Sequence, residues 1–548
     1  MRSKTRSKKD TKFIIVTGGV LSGLGKGITT ASIGRLLSSR LKVVTIKCDG
    51  YLNTDPGTMN PIEHGEVFVL DDGGECDMDF GHYERFIDVH SKSEWNLTMG
   101  KIYKKILDRE RDGDFLGQTV QLIPHVTDEI KQEFYRIAEK ERADIMLIEI
   151  GGTIGDMENE LFLESVRQLR YEAGPDNTAL VHLSYVPIPY GVNEQKSKPT
   201  QQSVKKLNER GLYPDLIIGR GPLRIVDKIK KKIALFCNVE PSAVVSAPDV
   251  DNVYEMPLIF EEEGVAEILH KKLNIYSPPN LNEWRRLVEN MREDENKIPI
   301  NVAICGKYTD LHDSYASILE ALTHCKAHVD VDIETSWVET TEIENKKRSI
   351  ADSMKGVDAV IVPGGFGTRG IEGKIDVIQY CRENKIPFLG ICYGMQLAVI
   401  EYARNVCGIK DAHSAEIEAD GQCVGTPIVC YLPDQIKVTR KGGTMRLGGH
   451  DIAIKEGTKA FEYYGGDKVR RRFRHRYEIN PEYIDVLEDK GMVFSGYAPN
   501  SNIMQIMELK GHPFMMGSQF HPELHSKLEK PEELFYHLIK AAREHKLK

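Results

Sequence analysis

The chain lacks most of what marks an exported, membrane-bound or nucleic-acid-binding protein. No run of about 18 apolar residues occurs among its 548 residues, so a membrane-spanning helix is not expected. Ten cysteines form no Cys-x-x-Cys pair and no regular framework, which argues against a disulfide scaffold and a structural zinc site, and suits a reducing, cytoplasmic setting. Basic charge is not in excess: 73 Lys and Arg stand against 82 Asp and Glu, a net charge of −9, which gives a nucleic-acid role no electrostatic support. Six basic residues do crowd the stretch from Arg2 to Lys12. Only four apolar residues follow it, Phe13 to Val16, too few for a signal peptide, so the stretch reads as a solvated tail before a first strand. The run Arg470-Arg471-Arg472 reads as a basic edge or substrate rim rather than a nucleic-acid patch.

What is present is an ordinary globular composition, 41% apolar, in a chain long enough for two to four domains. Apolar, β-branched runs at Phe13–Val16, Val43–Lys47, Ile145–Ile150, Ala179–Leu183 and Leu216–Ile218 alternate with helical stretches, the pattern of a buried parallel sheet. A second alternating series starts at Ile300 and continues through Asp358-Ala-Val-Ile-Val-Pro-Gly-Gly and Pro387-Phe-Leu-Gly-Ile. Between the two series, Tyr276-Ser-Pro-Pro-Asn and the charged stretch Glu289 to Lys297 read as a linker with one short helix. The expectation is an α/β protein of two domains, 1–275 and 298–548, joined by 276–297, with no internal repeat.

Two motifs carry chemistry. In Phe388-Leu-Gly-Ile-Cys392-Tyr-Gly-Met-Gln-Leu an apolar strand enters Gly-x-Cys-x-Gly and then a helix, which lifts one side chain out of a sharp turn beside free N–H groups. Cys392 therefore reads as a nucleophile, with His521 and Glu523 of His521-Pro-Glu supplying a base and the carboxylate that orients it. Cys423 also has glycines two positions away on each side, but it follows Glu418-Ala-Asp and reads as a turn cysteine.

At the other end of the chain, Thr17-Gly-Gly-Val-Leu-Ser22-Gly23-Leu24-Gly25-Lys26-Gly27-Ile28 follows the first strand and opens a helix, a phosphate-binding arrangement. It departs from the strict P-loop because Gly27 stands where a metal-binding Ser or Thr belongs. A magnesium ion would then need other ligands, and the candidates are the acids of Glu75-Cys-Asp77-Met-Asp79 and Glu149 at a strand end. Three polar segments after strand ends, Lys47 to Gly57, Gly155 to Asn159 and Lys196 to Gln201, suggest a second polar ligand beside the first.

These residues together resemble the CTP synthase family over nearly the whole chain. The likeness runs through Leu24-Gly-Lys-Gly-Ile, Asp55-Pro-Gly-Thr-Met, His64-Gly-Glu-Val-Phe-Val, Gly81-His-Tyr-Glu-Arg-Phe, Glu149-Ile-Gly-Gly-Thr-Ile-Gly-Asp, Lys198-Pro-Thr-Gln and a class I glutamine amidotransferase set from Pro363-Gly-Gly-Phe-Gly to His521-Pro-Glu. The resemblance implies a P-loop-type synthase domain with a parallel sheet, followed by an α/β amidotransferase domain. It also implies a reaction: ATP phosphorylates the 4-oxygen of UTP, and ammonia, free or from glutamine hydrolysed at Cys392, displaces the phosphate to give CTP.

By matching positions, the resemblance implies that Gly23, Leu24, Gly25, Lys26, Gly27 and Ile28 wrap the ATP phosphates and that Asp249 and Val250 meet its adenine. Lys26 and Lys47 would stabilise the transferring group, and Asp79 and Glu149 would hold Mg²⁺. Ser22, Lys196, Ser197, Lys198, Pro199, Thr200, Gln201 and Lys232 would bind UTP, and Asp156, Met157 and Glu158 would take part in CTP feedback. Gly365 and the backbone of Tyr393, Gly394 and Met395 would form the oxyanion hole, with Gln396, Glu416 and an arginine of Arg474-His-Arg476-Tyr, Arg476 preferred over Arg474, holding glutamine. Activation by GTP, inhibition by CTP and a homotetramer are further implications. Tyr393 departs from the family's usual Leu, and Cys48-Asp-Gly-Tyr from a more usual Asp-Pro-Tyr context. Two other readings stand beside this one: an ATP-dependent amidotransferase with another acceptor, and a non-enzymatic scaffold able to form filaments.

Overall fold

In the computed structural model the described residues are 11–59, 65–307, 312–365, 367, 369–419, 425–432, 445–499 and 501–548. The first ten residues of the basic tail, His64, Phe366 and Cys423 lie outside them. The chain forms two units. One comprises Met1–Asp55 and Asp79–Arg285, the other Pro56–Met78 and Arg286–Lys548.

The first unit is built on seven parallel strands in the order Asn96–Thr98, Val43–Asp49, Ile145–Ile150, Lys12–Gly18, Thr178–Tyr185, Leu216–Gly221, Val244–Pro248. The five apolar runs read from the sequence are five of these strands. Nearly every residue in them is buried, as a parallel sheet covered on both faces requires. Parallel strands share one carboxyl edge, so the segments after Gly18, Asp49, Ile150, Tyr185 and Pro248 emerge on the same side, where open α/β sheets bind ligands.

The expected linker is only partly one. Within it, the helix Asn282–Asn290 anchors Trp284, fully buried, against Phe86 and Tyr254, and its indole N–H donates to the Tyr254 carbonyl at 2.8 Å. The division between the units falls after that anchor, between Arg285 and Arg286.

The second unit has a nine-stranded sheet in the order Val331–Glu339, Ile298–Gly306, Ala359–Val362, Phe388–Ile391, Met515–Ser518, Met504–Leu509, Met492–Tyr497, Arg446–Ile454, Lys468–His475. The first five are parallel and the rest pair antiparallel. Pro56–Met78 packs with this second unit. Ser317 donates to Glu66 from its backbone N–H (3.0 Å) and hydroxyl (2.5 Å), and Arg472 donates to the Val69 carbonyl at 3.2 Å. These partners stand roughly 250 to 400 positions apart in the chain, so no local pattern announces them.

Candidate functional site

The phosphate loop of the first unit takes the conformation its glycines allow. Gly23 and Gly25 hold φ of 75° and 88°, and Gly25 caps the helix Lys26–Leu37 in the left-handed region. Val20, a β-branched residue, also has φ of 79°, a strained backbone of the kind that clusters at ligand clamps. Lys26 reaches back to the loop after Glu149, its ammonium donating to the Gly152 carbonyl at 2.8 Å.

Four predicted residues converge here. The Lys47 ammonium pairs with the Asp79 carboxylate and lies 3.5 Å from Glu149 Oε1. Tyr83 donates its hydroxyl to Glu149 Oε2 at 2.6 Å. A Cβ on Gly27 would lie 1.9 Å from Asp79 Oδ1, so the glycine that breaks the P-loop pattern is what admits this carboxylate. Burial opposes ionisation of Asp79, but Lys47 and then His82 and Lys26 hold its pKa down to about 2. At Glu149 burial wins and the pKa is raised, with Lys47 and Lys26 pulling the other way. Burial and the neighbouring Lys47 depress the Lys26 ammonium.

The remaining predicted segments lie at the carboxyl edge of the same sheet. Asp249 accepts from Arg220 Nε at 2.7 Å, and Arg220 stands beside Gly25, 3.5 Å from the position of a Cβ there. Asp156 ties down its own loop by accepting from the Thr153 N–H (2.6 Å) and hydroxyl (2.8 Å), whereas Met157 and Glu158 are exposed. Gly50 is forced: a Cβ there would come within 2.8 Å of the Glu158 carbonyl. Lys196 pairs with Glu194 at 2.8 Å, and Lys196, Lys228 and Lys232 together lower the Glu194 pKa. Ser197 precedes the helix Lys198–Asn208 and accepts from Gln201 at 3.0 Å, while Thr200 donates to the Tyr185 carbonyl at 3.1 Å.

Of the acids weighed as metal ligands, Glu75 is engaged elsewhere: it accepts from Arg474 Nε at 2.8 Å inside the second unit. Asp79 and Glu149 remain together. Among the described residues no group of three or more His, Cys, Asp or Glu is placed to hold a metal ion. Two carboxylates nonetheless suit Mg²⁺, which completes its octahedron from phosphate oxygens and water.

In the second unit Cys392 sits at the predicted elbow, between the strand Phe388–Ile391 and the helix Tyr393–Asn405, with φ of 51° and ψ of −101°. Gly390 and Gly394 make the turn possible, since a Cβ on Gly394 would lie 2.0 Å from the Val362 carbonyl. First-turn N–H groups of the helix have no intrahelical acceptors. His521 Nδ1 and Glu523 Oε1 are 2.7 Å apart, and His521 Nε2 is buried without a hydrogen-bond partner in the described structure. The ring faces Cys392 across Gly364, where a Cβ would lie 3.0 Å from His521 Cε1 and 3.5 Å from Cys392 Cβ. Burial disfavours the imidazolium, but Glu523 and the Cys392 sulfur push the His521 pKa up to about 10.

A cavity of about 210 Å³ opens on Cys392, His521 and Glu523, lined also by Gly365, Arg474 and, from the Pro56–Met78 excursion, Glu66, Val67 and Val69. Gln396 is buried, and its amide nitrogen donates to the Tyr477 carbonyl (3.1 Å) and Gln519 Oε1 (3.0 Å). Glu416 accepts from the Gly367 N–H at 2.8 Å. Arg476 is half-buried, and its carbonyl accepts from the Leu432 N–H at 2.9 Å. Tyr393 fits where the family's Leu would stand: it is buried, its hydroxyl donates to the Gly367 carbonyl at 3.4 Å, and the Lys374 ammonium lies 5.6 Å from its ring centre.

Sequence reasoning missed Gln519, which donates to Cys392 Sγ at 3.6 Å while accepting from Gln396; Arg474, weighed beside Arg476 as the glutamine-holding arginine, lines the cavity, and its carbonyl lies 3.7 Å from the same sulfur. It quoted Tyr83 within a motif without giving it a role. Gln519 stands two residues before His521, the one local signal available.

The family described as "CTP synthase N-terminus" matches residues 12–275 and "Glutamine amidotransferase class-I" matches 310–541. A CTP synthase of Borreliella afzelii (strain PKo) is 54% identical over 537 residues, covering 97% of this chain and 99% of the relative. One from Archaeoglobus fulgidus is 50% identical over 532 residues, covering 97% and 98%. A solved structure described as Trypanosoma brucei CTPS, glutaminase domain with bound acivicin, is 31% identical over 45% of this chain and 94% of its own, with a TM-score of 0.41.

Proposed function

The chain belongs to the CTP synthase family, and from that premise we propose how its residues divide the reaction. It is an ATP-dependent ligase that aminates UTP to CTP with nitrogen from glutamine. In the first unit, Lys26 and Lys47 neutralise the γ-phosphoryl group as it passes to the 4-oxygen of UTP, since phosphoryl transfer relies on charge clamps and positioning. Asp79 and Glu149 would hold Mg²⁺, which when bound would supply further neutralisation of phosphate charge. Ammonia then attacks C4, and phosphate leaves with the former 4-oxygen. ATP lies along Gly23–Ile28 with its adenine at Asp249 and Val250. UTP takes Ser22, Lys196–Gln201 and Lys232.

In the second unit the Cys392 sulfur, its proton taken by His521, attacks the glutamine carboxamide, the oxyanion faces Gly365 and the N–H groups after Cys392, and His521 delivers the proton to the departing ammonia; water then hydrolyses the thioester, releasing glutamate and the free sulfur. Glu523 fixes the ring, and Gln396, Glu416 and Arg476 hold the amino acid. Exposure of Met157 and Glu158 beside the Asp156-tied loop suits a regulatory contact with CTP. Activation by GTP, a homotetramer and a cytoplasmic setting complete the reading.

One observation carries it: Lys26, Lys47, Asp79 and Glu149 converge at one sheet edge, the cluster of charges that phosphoryl transfer relies on. CTP formation from UTP, ATP and ammonium tests it. Asp79→Ala or Glu149→Ala should lower the rate on the order of 10²-fold or more with either nitrogen source. Wild-type turnover in either variant would overturn the assignment.

A further inference from the structure

Three buried polar side chains in the first unit have no part in the reaction as set out above, yet they join its two nucleotide-holding elements. Thr17 lies just ahead of Gly18-Gly19 at the end of the first strand, His182 lies on the neighbouring strand, and Ser203 lies in the second turn of the helix Lys198–Asn208. They are 1%, 0% and 3% exposed. His182 Nδ1 is 2.9 Å from Thr17 Oγ1, and its Nε2 is 2.8 Å from Ser203 Oγ.

Burial, helped by the Lys26 charge, drives the His182 pKa down to about 3, so the ring is neutral and carries one N–H and one lone pair. With the proton on Nδ1, the ring donates to Thr17, the Thr17 hydroxyl donates onward to the Val181 carbonyl at 3.4 Å, and Nε2 accepts from Ser203. That tautomer satisfies all three side chains. The junction is also tight, because a Cβ on Gly19 would fall 1.7 Å from Ser203 Oγ and 3.2 Å from His182 Nε2. Any buried imidazole needs partners for both nitrogens; this one finds them at the root of the phosphate loop and on the helix that opens at Lys198.

We propose that His182 is a positioning residue for phosphoryl transfer, setting the separation between the phosphate loop and the helix whose first turn takes UTP. The proposal rests on the assignment of Lys196–Gln201 to UTP. In-line transfer requires reacting atoms in near-attack geometry, and a misplacement of about 1 Å can lower the rate on the order of 10²-fold. The relay holds both elements from beneath without touching either ligand.

Ser203→Ala removes one end of the relay, His182→Leu both ends, and His182→Gln keeps an amide near the Nε2 position. In Ser203→Ala, ammonia-dependent kcat should fall about tenfold or more while KM for ATP and for UTP stays within about threefold. Melting temperature should fall only by the few degrees that one unsatisfied buried nitrogen costs, and glutamine hydrolysis at Cys392 should be unchanged. His182→Leu combined with Ser203→Ala should be no worse than His182→Leu alone, and His182→Gln should recover part of the loss, because the relay acts as a unit. A folded Ser203→Ala protein with kcat within about twofold of wild type, or two losses that simply multiply, would overturn the proposal. Failure of the wild-type protein to aminate UTP would instead overturn the family reading, and the proposal with it.

Discussion

Gly27→Ser converts the phosphate loop toward the strict P-loop pattern, so pattern alone predicts a neutral or improved site. The structure predicts the opposite. The new Cβ would lie 1.9 Å from Asp79 Oδ1 and 2.5 Å from Asp79 Cγ, and ordinary contact begins near 3.4 Å, so the carboxylate must retreat by about 3.4 − 1.9 = 1.5 Å. That displacement breaks its pairing with Lys47 and removes one of the two carboxylates assigned to the metal. A shift of about 1 Å in a catalytic group can reduce rate on the order of 10²-fold, so CTP formation should fall at least that far with glutamine and with ammonium alike. Folding should not suffer to the same degree, because the obstructing atom ends a side chain and Ser is a better helix former than Gly by a few tenths of a kcal/mol. The assay is CTP formation with each nitrogen donor, beside glutaminase activity and a melting curve. Ammonia-dependent synthesis within about twofold of wild type in a folded Gly27→Ser protein would refute the link from Gly27 to Asp79 to phosphoryl transfer.

Glu523→Gln should change how stability depends on pH. The His521 pKa is raised to about 10 against an ordinary 6.5, so its contribution is complete below pH 6.5 and is lost as pH rises through 10. The stability gap between wild type and variant, measured by denaturant unfolding, should be widest below pH 6.5 and close by about pH 10; a pH-independent gap would count against the pairing. Arg474→Met leaves the Glu75 carboxylate, 2% exposed, without its partner in the cavity wall, and should destabilise the second unit by about 2–3 kcal/mol, at or below the low end for a broken buried pair because Arg474 is 19% exposed. Adding Glu75→Gln should restore most of that loss in thermal unfolding, and no recovery would show that the pair is not what the arginine maintains.

The sheets and the elbow at Cys392 were legible because their signals are local. Five β-branched runs gave five of seven parallel strands, and Gly390 and Gly394 around Cys392 announced the elbow. The edge strand Asn96–Thr98 is three residues long and gives no periodicity to read. Strands such as Arg446–Ile454 and Lys468–His475 are half-exposed and charged, so they do not resemble the buried runs beside them. Pro56–Met78 joins the second unit through Glu66, Val69 and Glu75, whose partners are distant in the chain, and only folding brings them together. Gln519, Tyr83 and His182 escaped notice for the same reason: each is an ordinary polar residue until its neighbours are known. Trp284 offered a signal that went unused, a large aromatic inside a stretch otherwise rich in charge.

The central claim is that one chain makes ammonia at Cys392 and consumes it at a separate phosphate site. The most direct test is CTP formation by Cys392→Ala, run in parallel with glutamine and with ammonium at a pH high enough to supply free ammonia. Deleting the nucleophile removes a covalent path, so glutamine-dependent synthesis should fall by several orders of magnitude while ammonia-dependent synthesis stays near wild type. Equal loss with both nitrogen donors would contradict the account.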